Sequence, residues 1–275
     1  MARLFTFPLI RVAFVFLLGF GIWTAAIYVT HSSRSSLNYL YSPAAAVFYF
    51  TGAALAITGV RKVTLQSTAG KMLGSLAAAI TLYGLADFLW GYYTIVLKIP
   101  IPYPSLSDAL YMLYYPFMAA AFFYLYSLFG SVLTRRKILE SLGVFIVSFI
   151  LIFFVIIRPE LPQNGHLTSA NIFDIAYPFF DVVLVTLVFL GIRISSGKIK
   201  TVLPYFLFGL GLEVASDLWF SRATEAGYYV NGGIIDWGYL LASMSVFLGI
   251  AAVIRSFEPT LKPTPGRNAQ AGIPQ

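Results

Sequence analysis

Apolar runs of about 20 residues follow one another through the whole chain, and each is long enough to cross a bilayer core of about 30 Å. No stretch remains between them that could bury a soluble core. Composition agrees: 59% of the 275 residues are hydrophobic and only 11% are charged, against about a quarter in a soluble domain, and mean hydropathy is +0.82. The sequence therefore predicts an all-α, polytopic transmembrane helical bundle. About eight spans are expected, at roughly 6–29, 43–60, 71–96, 108–133, 138–157, 171–192, 201–221 and 233–254, arranged as four helical hairpins. Residues 1–255 read as one transmembrane domain, and 256–275, with Pro259, Pro263, Pro265 and Gly266, as a short disordered cytoplasmic tail.

The loop charges orient these spans. One side carries Arg61, Lys62 and Lys71; then Arg135, Arg136 and Lys137; then Arg193, Lys198 and Lys200; then Arg255, Lys262 and Arg267, with Arg3 and Arg11 flanking the first span. Loops on the other side carry one basic residue each: Arg34, Lys98, Arg158 and Arg222. By the positive-inside rule both termini are cytoplasmic, and the net charge of +7 belongs to these loops rather than to a nucleic-acid surface. The basic start and Ala25-Ala26 resemble a signal peptide, but no clean Ala-x-Ala site follows, so the first span is read as retained.

Against this background the acids stand out. Asp-x-x-Tyr occurs as Asp108/Tyr111, Asp174/Tyr177 and Asp236/Tyr239, each where an apolar run begins. Of the eleven acids, seven (Asp87, Asp108, Asp174, Asp181, Glu213, Asp217 and Asp236) fall in the outer half of a span or near its middle. A carboxylate there costs roughly 2.5–3.5 kcal/mol on insertion scales. Asp108, Asp174 and Asp236 sit where an N-terminal cap is useful, and the paired tyrosines where an aromatic belt is ordinary. Asp181 lies one face below Asp174, roughly 10 Å deeper, and Glu213 shares a face with Asp217, roughly 12 Å from the outer end of its helix. No Lys, Arg or His lies at that depth. The deep acids must then be protonated and bonded to a neighbouring helix, share protons, or hold a cation, an amine or water. Trp90, Tyr92, Tyr93, Trp219 and Trp237 are expected at the rim of an outward-opening pocket, where rings and carboxyls together suit a cation.

Other chemistry finds little support. There is no cysteine, and the two histidines, His31 and His166, lie in outer loops, so haem and iron–sulfur sites are not expected, a zinc site is weakly supported, and no cofactor is predicted. No lysine lies inside a span, and no phosphate loop or hydrolase motif is present. Weak internal similarity runs parallel: Tyr41-Ser42-Pro43-Ala44 echoes Tyr115-Pro116-Phe117, and Gly84 to Trp90 echoes Leu212 to Trp219.

The run from Pro104-Ser105-Leu106-Ser107-Asp108-Ala109-Leu110-Tyr111 through Tyr115-Pro116-Phe117 resembles a segment of the multi-span N-terminal membrane region found in some bacterial diguanylate cyclases, phosphodiesterases and histidine kinases. The likeness extends over about 80–255, and its specific part is residues 103–117. It implies a region that anchors a protein and senses a signal. The polar tail is too short for an output domain, so a free-standing module with a signalling partner protein in the membrane is expected. Ala215-Ser216-Asp217-Leu218-Trp219 is similar to a Ser-Asp segment of the lysoplasmalogenase-like membrane family, which implies vinyl-ether hydrolysis by the deep acids.

These readings converge on a multi-pass protein of the cell membrane with an acidic and aromatic pocket used for ligand binding or sensing. Its floor is expected to be Asp181, Glu213 and Asp217; its upper ring Asp87, Asp108, Asp174 and Asp236, with Tyr111, Tyr177, Tyr239, Trp90 and Trp219 around them. The expected partners are the lipid bilayer and a small cationic ligand or proton, not nucleic acid. The alternatives are a proton- or cation-coupled transporter and an intramembrane lipid hydrolase with paired aspartates; catalysis is left open.

Overall fold

The computed structural model describes residues 4–128, 134–161, 166–195 and 197–261. Eight long helices make up the fold: α1 (Pro8–Val29), α2 (Tyr41–Val63), α3 (Thr68–Gly91), α4 (Leu106–Leu128), α5 (Arg135–Ile152), α6 (Ser169–Ile194), α7 (Leu203–Glu225) and α8 (Ile234–Leu261). No strand is present among the described residues. Six of these helices are long and apolar enough to cross a membrane, as befits a multi-pass membrane protein. The other two are α5, which opens with Arg135, Arg136, Lys137 and Glu140, and α7, which carries Glu213, Asp217, Arg222 and Glu225.

One expected boundary shifts. α8 does not stop at 254 but continues to Leu261, so 256–261 are helical rather than tail. Pro259 falls inside it, which shows how little a single proline near a helix end decides: it removes one backbone hydrogen bond and leaves the rest of the ladder intact. Residues 262–275, including Lys262 and Arg267, lie outside the described residues, as do Arg3 and 129–133 at the end of the fourth expected span.

Helix ends follow local chemistry. Ser67 accepts a hydrogen bond from the Gly70 amide at 2.9 Å and starts α3. Thr168 and Asn171 form a reciprocal capping box at α6. α3 and α5 both run out through a wide π turn, at Tyr92–Leu97 and Phe153–Ile157.

Packing builds a ring. α2 lies against α3, α3 against α4, α4 against α6, α6 against α7, α7 against α8, and α8 closes back on α2. α1 sits outside, on α2 and α8 together; α5 sits outside on α6. The α2–α3 contact is built from small residues, with Ala45, Ala46, Ala53, Ala56, Ala69, Ala77, Ala79 and Ala86 all buried. In lipid, where apolar surface alone gives no reason for helices to associate, such faces let backbones approach closely. Two glycines permit such close approaches, Gly52 of α2 toward α8 and Gly70 of α3 toward the α2–α3 turn. A Cβ on Gly52 would stand 2.1 Å from the Phe247 ring, and one on Gly70 would stand 1.8 Å from the Thr64 carbonyl oxygen. Phe247 can tilt, but the backbone of the α2–α3 turn cannot move without breaking the turn. Gly70→Ala is therefore expected to lower stability by about 1–3 kcal/mol. Gly19→Ala, with nothing within 4 Å of its Cβ, should leave it unchanged. Thermal midpoints in detergent would check both.

Below its middle the ring is filled with hydrocarbon: Phe48, Phe122, Phe206, Phe247, Leu76 and Met118 are each less than 2% exposed. In the other half, where α2, α4, α6 and α8 begin and α3 and α7 end, the centre is open.

Candidate functional site

The opening is a cavity of about 470 Å³. Tyr41, Ser42, Ala45 and Tyr49 of α2 line it, with Tyr83, Asp87 and Trp90 of α3 and Asp108, Tyr111, Tyr114 and Tyr115 of α4. α6 contributes Asp174, Tyr177 and Pro178; α7 contributes Glu213, Asp217, Phe220 and Glu225; α8 contributes Asp236 and Tyr239. These residues share the cavity because each falls within about three turns of the end that its helix presents to this side of the bundle.

The carboxyls are held in a consistent way: each of the seven accepts a hydrogen bond from a different tyrosine hydroxyl. Tyr111 donates to Asp87 at 2.5 Å, Tyr239 to Asp217 at 2.6 Å and Tyr115 to Asp181 at 2.8 Å. Tyr114 reaches across the floor from α4 to Glu213 of α7 at 3.0 Å. Tyr177 donates to Asp108 at 3.1 Å, Tyr103 to Asp174 at 2.5 Å, and Tyr229 to both oxygens of Asp236 at 2.9 and 3.1 Å. A phenol supplies a proton donor without a charge. The desolvation of each carboxyl is thus partly offset while the site as a whole gains no positive group.

Basic residues stay away. The ion pairs of the described residues include Arg136–Glu140, Arg193–Glu140 and Arg222–Glu225. Only the last touches the cavity, at its mouth, where Glu225 forms part of the wall. None of the seven carboxyls meets a Lys, Arg or His among the described residues, and no three His, Asp or Glu side chains there could hold a metal ion.

The floor has a further feature. Asp181 does not line the cavity; it lies beneath it, 4% exposed, with Oδ1 taken by Tyr115 and no donor for Oδ2. Asp181 of α6 and Asp217 of α7 are neighbours across the contact between those two helices.

Several expected positions are corrected. Trp219 is 47% exposed on the outer face of α7, and its neighbour Phe220 lines the cavity instead, meeting Trp90 at 6.3 Å between ring centres. One residue along a helix is a turn of about 100°, which is enough to exchange lipid for interior. Of the expected rim aromatics only Trp90 lines the cavity. Tyr92 is exposed and Tyr93 lies in the π turn, while Trp237 turns to α1 and donates to the Leu17 carbonyl at 3.2 Å. Asp108 and Asp236 do take cap-like hydrogen bonds, from the Ser105 and Gly232 amides at 2.7 and 2.6 Å. Asp174 caps nothing, because Thr168 and Asn171 already close that helix end.

Sequence reasoning did not name Tyr49, Tyr83, Tyr103, Tyr114, Tyr115 or Tyr229 as site residues. Tyr111, Tyr114 and Tyr115 had a signal: the i, i+3, i+4 spacing of one helix face. Tyr103 and Tyr229 come from loops, where no periodicity exists to read. The stability of these pairs is open to test. Tyr111→Phe and Tyr239→Phe should each cost about 1–3 kcal/mol, the price of a buried acceptor left without its donor. The exposed Tyr92→Phe should cost nothing measurable.

Compared with known proteins, the chain matches no family model, no curated protein and no solved structure.

Proposed function

We propose that this chain is a ligand-binding or sensory membrane module whose cavity opens outward and takes a small cation or amine. One observation carries the reading: six carboxyls from five helices line one cavity and a seventh, Asp181, lies beneath it, each steadied by a tyrosine, with no basic side chain among them in the described residues. A bound cation would supply the missing charge, and the surrounding rings would add cation–π attraction. An anion would meet only like charge.

The basic loops favour eight spans in the cell membrane with both termini cytoplasmic and the cavity mouth outside. The arrangement also fits two parallel units, α1–α4 and α5–α8. Tyr111 of α4 bonds Asp87 of α3, as Tyr239 of α8 bonds Asp217 of α7. Trp90 and Phe220, which occupy corresponding places three residues after those aspartates, touch each other. Such units agree with the resemblance to sensory membrane regions; in this chain the signal would pass to a partner protein in the membrane.

Transport is disfavoured by the hydrocarbon plug below Glu213, built from Phe48, Phe122, Phe206, Phe247, Leu76 and Met118. The hydrolase reading draws on one specific feature, the proximity of Asp181 and Asp217, since paired carboxyls can activate water. Loss of lipid turnover in Asp217→Asn would establish it.

The test of the sensor reading is a titration of thermal stability in nanodiscs with tetramethylammonium and small primary amines. A ligand present at a hundred times its Kd should stabilise the wild type by about 2.7 kcal/mol. Glu213→Gln should lose that shift. Equal shifts in both proteins would contradict a cation role for Glu213.

A further inference from the structure

Behind the acidic cavity lies an apolar one. A groove of about 690 Å³ runs between α4 and α6, lined by Met112, Leu113 and Ala119 on one side and Phe173, Ala176 and Val183 on the other. From Ala109 to Ala119 it extends roughly 15 Å along α4 at the helical rise. Tyr115 lines both spaces, so the two are adjacent.

The position of the groove follows from how the outer helices pack. α1 covers the seam between α2 and α8 by lying on both. α5 lies on α6 and makes no comparable contact with α4, so the matching seam between α4 and α6 faces the lipid uncovered. Side chains, not a helix, separate this seam from the cavity. Tyr177 of α6 donates to Asp108 of α4 at 3.1 Å, and Tyr115 of α4 donates to Asp181 of α6 at 2.8 Å, with Phe180 stacked on Tyr115 at 5.3 Å. The Oδ2 atom of the deeply buried Asp181 has no hydrogen-bond donor on the inner side of this wall.

We propose that the ligand of the acidic cavity is a single-chain amphiphile with a cationic head, its head among the carboxyls and its chain in the groove between α4 and α6. The inference rests on the reading of the cavity as a cation site and adds the chemistry of the rest of the ligand. The groove is lined by hydrocarbon and aromatic carbon and offers a head group nothing; the cavity offers a cation six tyrosine-bonded carboxyls and offers a long chain no apolar channel of comparable length. A molecule arriving from the bilayer keeps its chain in an apolar medium throughout. The anchored chain also holds the head at high local concentration beside the cavity. To pass, the head must part the Tyr115–Asp181 and Tyr177–Asp108 hydrogen bonds and the stack of Phe180 on Tyr115.

The experiment compares tetramethylammonium with dodecyltrimethylammonium, below its micellar concentration, on the full chain in nanodiscs. Three proteins are used: wild type, Ala119→Trp, which fills the groove, and Glu213→Gln, which alters the cavity. Ala119→Trp should weaken binding of the long-chain ion at least tenfold and leave tetramethylammonium unchanged; Glu213→Gln should weaken both. If Ala119→Trp leaves the long-chain ion bound as in wild type while Glu213→Gln releases it, the groove assignment is overturned and the cation cavity stands. If neither ion binds the wild type, the cavity reading itself fails. Should the tryptophan variant not fold, a dodecylammonium ion with a photoreactive chain end gives the same decision on wild type. Labelling of Met112, Leu113 and Phe173 supports the assignment, and labelling confined to other helices overturns it.

Discussion

Asp217→Asn is expected to weaken binding of a quaternary ammonium ion by roughly 30- to 1,000-fold, or about 2–4 kcal/mol, the range for removing one member of a buried charge pair. The substitution keeps shape and keeps a carbonyl oxygen for the Tyr239 hydroxyl, which now bonds Asp217 at 2.6 Å. Folding should therefore be preserved while the charge is lost. Trp219→Phe, two residues away but on the exposed face, should leave affinity unchanged. Calorimetric titration in nanodiscs measures both. If Asp217→Asn binds as tightly as wild type, the floor carboxyls do not face the ligand.

The second large effect concerns stability. Tyr115→Phe removes the one donor to Asp181, whose other oxygen already has none. A carboxyl with neither oxygen supplied, in a residue this buried, should cost about 1–3 kcal/mol. Asp181→Leu removes the acceptor instead and should be milder, because a hydroxyl can turn toward another partner. In the double variant both polar groups are gone, and apolar replacement of both partners is close to neutral. The double variant should therefore be more stable than the sum of the single changes predicts, by about 0.5–3 kcal/mol of coupling. Unfolding in mixed micelles supplies the four values. Simple additivity would mean that the Tyr115–Asp181 bond contributes nothing and that the α4–α6 wall is held by packing alone.

Much of the helical framework could be read from sequence, since each span needs only length and apolarity to be recognised. The depth of the acids was legible for the same reason: Asp181 and Glu213 fall at fixed distances along helices whose ends are marked by loops. What could not be read is rotation. Whether Trp219 or Phe220 enters the ring depends on how α7 is turned about its own axis, and α7 is so evenly apolar around Gly209 and Leu210 that no stripe reveals it. The partners of the acids were hidden for a related reason. Tyr114 meets Glu213 and Tyr115 meets Asp181 through contacts 99 and 66 residues apart in sequence, set by which helices adjoin in the ring. The helix order of that ring, with α4 against α6 and α5 pushed outside, leaves no local trace. Tyr103 and Tyr229 reach their aspartates from loops whose paths only the folded chain defines. The first residues of the tail likewise left no local sign of their structure: α8 continues through Pro259 to Leu261.

A cation site makes one demand that neither a structural role for the acids nor a generic amphiphilic cavity shares: charge must decide binding when shape does not. Choline and 3,3-dimethylbutan-1-ol have the same outline, but only choline carries a positive charge. Titrated into the wild-type protein in nanodiscs, choline should bind saturably and raise the thermal midpoint, while the uncharged alcohol should do neither. Equal binding of the two, or binding of neither, would contradict the claim that the carboxyls of this cavity are gathered around a cation.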